Sequence, residues 1–546
     1  MSKKNYRAVT LLFMLLLINM LASQYYLRFD LTQDQRYTLK KTSQNIVNQI
    51  KYPTLIKVYL KGNFPSEFQR LQQETNQFLE ELRAENSLIN IQFINPESFK
   101  EDLIKKGMTP SRLTVEEDGT LSEAIIFPWA EVMYRNKVSL VNLLPNTNAV
   151  NQEEQLQFAI ENLEYSFAAA LNKLVKKSNK KIAVISGNGE LEDLSFYSFL
   201  SILKEKYSLA KFSLDAVASA PQQTLEDLSS FDLAIIAKPT IKFSEDEKLT
   251  LDQFITNGGK TLWMVDQVQA EQDSLLKNGK MLVYPRDLNL TDLLFSYGVR
   301  INSSLVKDLY AANIRLATGN VGNQTQYQNL PWFYHPLVNG NSSHPITKNI
   351  RPIRLQYTTQ IDTLKNGLKK TALLTSSLLS GKIGTPNFID LKSIADEPKQ
   401  TDYSSGRQLL AVLLEGTFNS AYKNRIKPFT TPLYQATSKA NKMVVIADGD
   451  IGRNQLVKGR PYDLSIDKWT QETNGNKEFL HNTVDYLLDD GGLIHLRNKG
   501  LKINLLDKQK AFQERLFWQA FNIALPLLLL TIFGVVFTYL RRRKYT

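Results

Sequence analysis

Cysteine is absent from all 546 residues. Its absence excludes disulfides, thiolate metal ligands, a lipid-bearing cysteine anchor, dithiol redox chemistry and the nucleophile of a glutaminase-like site. Histidine is nearly as scarce. His335, His344, His481 and His495 lack metal-ligand spacing, and two of them precede prolines. No Gly-x-Ser-x-Gly elbow is present. Gly258-Gly259-Lys260-Thr261 ends like a phosphate loop, but Phe254 stands where the loop needs its first glycine. The string also falls between a helix and a strand, the reverse of a phosphate cradle. Leu379-Ser380-Gly381-Lys382 only begins like a transporter-ATPase signature. Neither ATP hydrolysis nor any other enzyme activity is expected, and no cofactor.

Acid is missing from both tails. Lys3, Lys4 and Arg7 precede one charge-free apolar stretch, residues 8–27, and Arg541, Arg542, Arg543 and Lys544 follow another, residues 516–540. About twenty apolar residues cross a bilayer as a helix, and Pro526 kinks the second without abolishing it. The positive-inside rule then places both tails, 1–7 and 541–546, in the cytoplasm and the intervening mass outside it. A cleaved signal peptide competes for the first stretch, against a poor small-x-small match at Met20 and Ala22. The tails hold seven of the formal +12 charges, leaving +5 for residues 8–540. The high pI is therefore a topology signal, and nucleic acid is not an expected partner.

Between the anchors the composition is globular, with 43% hydrophobic and 22% charged residues. Residues 30–150 read as a small α/β domain. A strand at 55–60 is followed by a helix with a capping box at Ser66 and Gln69, then by alternation at Ile89, Ile91 and Phe93. Residues 124–134 and 137–143 read as a hairpin, so a thioredoxin-like arrangement is one reading. A connector helix spans 153–177, and its basic end reads as a solvated linker. Residues 181–500 then read as a doubly wound α/β domain, with buried strands at 182–185, 231–237 and 261–265 and helices at 194–207 and 244–256. An irregular insertion occupies about 267–440. The rhythm resumes at 443–447, continues in a helix over 476–488 and finishes with Leu493 to Leu496.

Carboxylates gather where the strands of that sheet end: Glu190, Asp266, Asp448 and Asp450. Open parallel sheets bind ligands at that edge, and such a group could hold a hard cation. Asp and Gly also cap helices and make turns everywhere. Trp332, Phe333 and Tyr334 concentrate rings within the insertion, as a partner surface or as a hydrophobic plug under a long loop.

Arg36-Tyr37-Thr38-Leu39, the helix leading into Gly258-Gly259-Lys260-Thr261-Leu262, and His344-Pro345-Ile346-Thr347 occur in this order, followed by Val444 to Asp450 and the helix 476–488. With the C-terminal anchor, this series resembles the gliding-motility-associated GldG family of the Bacteroidetes. The resemblance implies an auxiliary, substrate-binding-like subunit of an ABC-type transport system, with a glutamine-amidotransferase-like domain that lacks catalytic residues. It also implies a separate permease and a separate cytoplasmic ATPase as partners, with the main domains periplasmic on the bacterial inner membrane. Two functions stay open: a scaffold or cargo-contacting subunit meeting an envelope protein, and a binding protein for a sugar or peptide.

Overall fold

In the computed structural model, which describes residues 13–15, 19, 38–62, 66–117, 120–145, 152–176, 180–322, 324–498 and 512–545, the first sheet grows from one βαβ unit. β1 (Thr54–Val58) and β2 (Ile89–Phe93) are parallel and joined by α1 (Ser66–Glu85), which buries Phe68, Leu71, Leu79 and Leu82 at helical spacing. The Ser66 side chain, on which the expected capping box rests, lies outside the described residues. β3 (Trp129–Tyr134) and β4 (Lys137–Asn142) add antiparallel, giving the order β2-β1-β3-β4. The strand expected over 124–134 is two strands. Phe127-Pro128 separates β3 from another hairpin, Ser111–Glu117 with Thr120–Ile126, because proline has no N–H for a ladder.

The connector is likewise two helices, α2 (Gln152–Glu161) and α3 (Leu163–Val175). They part at Asn162, whose Nδ2 donates to the Phe158 carbonyl at 2.8 Å and so competes with the helical ladder. α3 is anchored to the chain that precedes the small sheet. Buried Glu164 accepts from Lys40 N and Ser43 Oγ, both at 2.7 Å.

The second sheet begins with β5 (Lys181–Ser186), α4 (Asp193–Lys204), β6 (Ser208–Ser213) and α5 (Pro221–Ser229). It continues with β7 (Leu233–Ala237), α6 (Glu245–Thr256) and β8 (Lys260–Met264). The chain then leaves the sheet and forms a long ribbon, β9 (Ala311–Val321) with β10 (Gln324–Val338), among shorter strands. It returns as β11 (Lys369–Thr375), β12 (Leu409–Asn419) and β13 (Thr437–Ile446), followed by α7 (Asn476–Leu488). The seven strands run β11-β12-β13-β8-β7-β5-β6. The last five are parallel, and β11 and β12 extend the edge antiparallel.

Both faces of this sheet are covered, and strand alternation divides its side chains between two cores. Ile182, Val184, Leu233 and Ile235 pack with α4 and α7, whereas Ala183, Ile185, Ala234 and Ile236 pack with α5 and α6. A capping box starts α6: Ser244 Oγ accepts from Glu247 N at 3.2 Å and Glu247 Oε2 accepts from Ser244 N at 2.7 Å. Gly258 ends the helix at a φ of 103°, and a Cβ on Gly259 would lie 2.3 Å from the Phe254 ring. These glycines serve the helix-to-strand turn. The closing run Leu493 to Leu496 is part of the 3-10 stretch Leu493–Asn498.

The chain divides into two compact units, Met1–Lys499 and Gly500–Thr546. The second contains α8 (Arg515–Tyr545), whose segment Arg515–Arg543 is long and apolar enough to cross a membrane. Phe517, Trp518 and Phe521 cluster near its start, and Arg541 to Arg543 stand near its end. The first apolar stretch, 8–27, lies outside the described residues except for 13–15 and 19, which are helical.

Candidate functional site

Chain order places β5 before β6, β7 and β8, yet β6 and β7 lie on opposite sides of β5. The sheet therefore switches direction at the carboxyl ends of β5 and β7, where open sheets form their crevice. Gly187-Asn188-Gly189-Glu190 leaves β5 at this point, and Lys238 leaves β7.

Three of the expected carboxylates meet further along the same edge. Asp266 follows β8, Asp448 and Asp450 follow β13, and all three are buried. Asp266 Oδ1 accepts from Gly449 N at 2.5 Å. Asp448 accepts twice, from Gln356 N at 2.6 Å and Asp450 N at 2.7 Å. Gly449 is dictated by this crowding, since a Cβ there would lie 2.7 Å from Lys238 Cγ and 2.9 Å from Asp266 Oδ2.

Lys238 is the center of the cluster. Its ammonium lies 2.6 Å from Asp450 Oδ2, 3.3 Å from Glu271 Oε2 and 3.5 Å from Asp266 Oδ2, with the side chain only 5% exposed. Arg453 adds contacts to Asp450 at 3.4 Å and to Glu271 at 3.6 Å, and Arg286 reaches Glu271 at 3.6 Å. Four carboxyl groups thus face three cations, with Lys238, Arg286 and the three aspartates buried and Glu271 and Arg453 at the solvent margin, which favours retention of one proton among the buried groups. Burial, then the charges of Asp266 and Asp450, lift the Asp448 carboxyl far above its usual range. Burial and then Asp450 push Asp266 up to about 6, against Lys238, the Gly449 N–H and Arg286. For Lys238, burial pulls the ammonium down, but Asp450, Asp266 and Glu271 outweigh it and hold it above the lysine range.

Two backbone conformations at this edge are unusual. Lys238 has a φ of 52° and Tyr357 a φ of 49°, in the left-handed region that side chains rarely adopt. Tyr357 follows Gln356, whose N–H donates to Asp448, and its hydroxyl contacts Gln272 and accepts from Trp332 Nε1 at 3.2 Å. The insertion thus reaches the sheet edge through the Gln356 N–H and packs Tyr357 beside it.

Glu190 stands apart from this cluster. One carboxylate oxygen accepts from Asn188 N at 2.8 Å. Burial raises its pKa against the backbone N–H groups of Glu190 and Asn188, aided by the charges of Glu247 and Asp215. Among the described residues no hydrogen bond or ion pair joins it to Asp266, Asp448 or Asp450. The aromatic residues divide. Trp332 is buried in the insertion core with Met281, Leu305 and Tyr357, whereas Phe333 and Tyr334 are half-buried against Tyr403 and Tyr357. Lys238, Glu271, Arg286 and Arg453 were not singled out by sequence. The available signal was a lysine directly after the all-apolar Leu233–Ala237.

At the amino ends of the strands, between the two sheets, a cavity of about 980 Å³ is lined by residues including Lys176, Lys180, Lys206, Tyr207, Asp485 and Asp489. Its charges are largely matched. Lys206 lies 2.9 Å from Asp485, and Lys180 lies 3.0 Å from Asp232 and 2.8 Å from Asp490.

A family model described as an ABC-type uncharacterized transport system matches residues 179–483, and one described as a domain of unknown function matches residues 33–133. An uncharacterized protein of Borreliella burgdorferi is 21% identical over 527 residues, spanning 95% of this chain and 94% of its own. Among solved structures, the mmIFT52 N-terminal domain covers 57% of this chain and 99% of its own, at 13% identity and a TM-score of 0.33.

Proposed function

The chain belongs to the ABC-type transport system auxiliary family whose model spans more than half of it, and from that premise we propose a non-catalytic, membrane-held subunit that contacts a separate permease and ATPase. In this reading it serves as scaffold or cargo-contacting component, with both tails cytoplasmic, the folded mass periplasmic, and an association with gliding motility. The small sheet is taken as thioredoxin-like, on the strength of a βαβ unit followed by a hairpin, and the large one as amidotransferase-like, as the family resemblance implies.

The observation that carries the reading is the charge-neutralised carboxyl edge. Where an open sheet would receive a small ligand, Lys238 and Arg453 already neutralise Asp266, Asp450 and Glu271, and the Gln356 N–H is spent on Asp448. This favours macromolecular contact over a sugar or peptide held at that edge. A second support lies in α8. Ala520, Ala524, Thr531, Gly534 and Thr538 recur along one face, interrupted by Leu527, and their small side chains favour approach of a neighbouring membrane helix toward either end of α8. Gln519 and Asn522 add polar groups at membrane depth. Tagged protein extracted in mild detergent is expected to bring down a permease and an ATPase; recovery of neither would overturn the reading.

A further inference from the structure

The ribbon of β9 and β10 carries an edge that nothing described so far uses. β10 pairs with β9 along one side. On its other side, among the described residues, no strand pairs with it by a hydrogen-bonded ladder until Leu337 and Val338 pair with Ile353–Arg354. That leaves Gln324 to Leu330 with an open row of backbone donors and acceptors. Gln324 to Asn329 are all exposed.

The composition of this edge departs from that of the rest of the protein. No Asp, Glu, Lys or Arg stands between Arg315 and Lys348, in a chain with 22% charged residues. Exposed edge strands are normally guarded by charge, because an uncharged one templates pairing with another chain. Gln-Thr-Gln-Tyr-Gln-Asn-Leu has no charge, no proline and no glycine, the pattern of segments that stack in register on their own copies. Among the described residues the amides of Gln324, Gln326 and Gln328 hydrogen-bond to nothing. Such a strand left bare would be an aggregation hazard.

We propose that Gln324–Leu330 is a self-association strand, pairing antiparallel about a two-fold axis with the same strand of a second copy of this chain. A second copy fits because every amide is both donor and acceptor, so the surface complements itself, and no charge opposes its like across the axis. Two-fold pairing closes on itself and does not propagate into fibres. Pro331 ends the free edge, since it has no N–H to offer. The β9 edge is obstructed near its base, where Asn313 Nδ2 donates to Glu472 Oε1 at 2.6 Å and Arg315 Nη1 to the Trp469 carbonyl at 3.3 Å. Among the described residues the open edge of β10 carries no such obstruction over Gln324–Leu330 and offers a second ribbon the longer free run. This inference does not depend on the transport reading.

Because the chain has no cysteine, single cysteines introduced into the full-length protein in detergent report the contact cleanly. Tyr327→Cys, at the middle of the edge, is expected to yield a disulfide-linked dimer under mild oxidation, and Ser219→Cys, exposed on a distant turn, is not. Light scattering should give two copies per particle. The double substitution Gln326→Lys, Gln328→Lys, which sets lysines opposite lysines across the axis, should weaken the dimer roughly tenfold with unchanged melting. A single copy per particle, equal cross-linking at residues 219 and 327, or a dimer indifferent to the lysines would each overturn the proposal.

Discussion

At the residue scale the cluster around Lys238 couples protonation to folding. The folded chain holds the Asp266 proton up to about pH 6, whereas the same carboxyl when unfolded releases it near 3.8. Between those values the folded state carries the extra proton, so this group's contribution to stability declines as the pH rises through the window. Asp266→Asn abolishes that titration while its amide oxygen still accepts from Gly449 N. Melting of the two full-length proteins from pH 4 to 7 should therefore show the wild type's advantage over the variant largest at pH 4 and shrinking toward pH 7. A constant difference would refute the assignment. The three aspartates of this cluster were legible because they stand just past the apolar runs of β8 and β13. Glu271 and the cations were not. Lys238 reads as an ordinary exit from a strand, and Glu271, Arg286 and Arg453 lie in segments whose partners are far away in sequence.

Elements were legible where burial imposes a period. β7 is apolar throughout because both its faces are covered, and the helix expected over 476–488 occupies those residues with Phe479, Leu480, Val484 and Leu487 inside. β6 escaped notice because it is an edge strand with mostly exposed side chains, and α5 because its start is signalled only by Pro221. The breaks at Asn162 and Phe127-Pro128 escaped because apolar spacing continues across them. The cap of α6 is an element with a measurable consequence. Ser244→Ala removes the acceptor for Glu247 N, and amide exchange over residues 245–248 should quicken about fivefold, for a loss of roughly 1 kcal/mol. Unaltered exchange would mean the cap bears no load.

For the whole molecule, the proposed double anchor predicts an ordered set of truncations. Removal of residues 500–546 alone should leave the protein in the carbonate-washed membrane pellet, held by its first apolar stretch, whereas removal of residues 1–29 as well should release it. Release by the first truncation alone would show that α8 is the sole anchor. What the sequence did not reveal at this scale is that the small sheet and the doubly wound sheet share one compact unit, because that depends on packing between segments far apart in the chain, such as Phe78 on Phe167 and Lys348 with Glu161. The order of strands also has a consequence in time. β8 needs β13 on its flank, yet residues 265–436 are made in between. At ordinary rates of synthesis the flank of β8 waits on the order of ten to thirty seconds for its neighbour. A nascent chain in that interval presents Leu262, Trp263 and Met264 with one hydrogen-bonding side unfilled, so a holding factor that meets the emerging chain would find its substrate there.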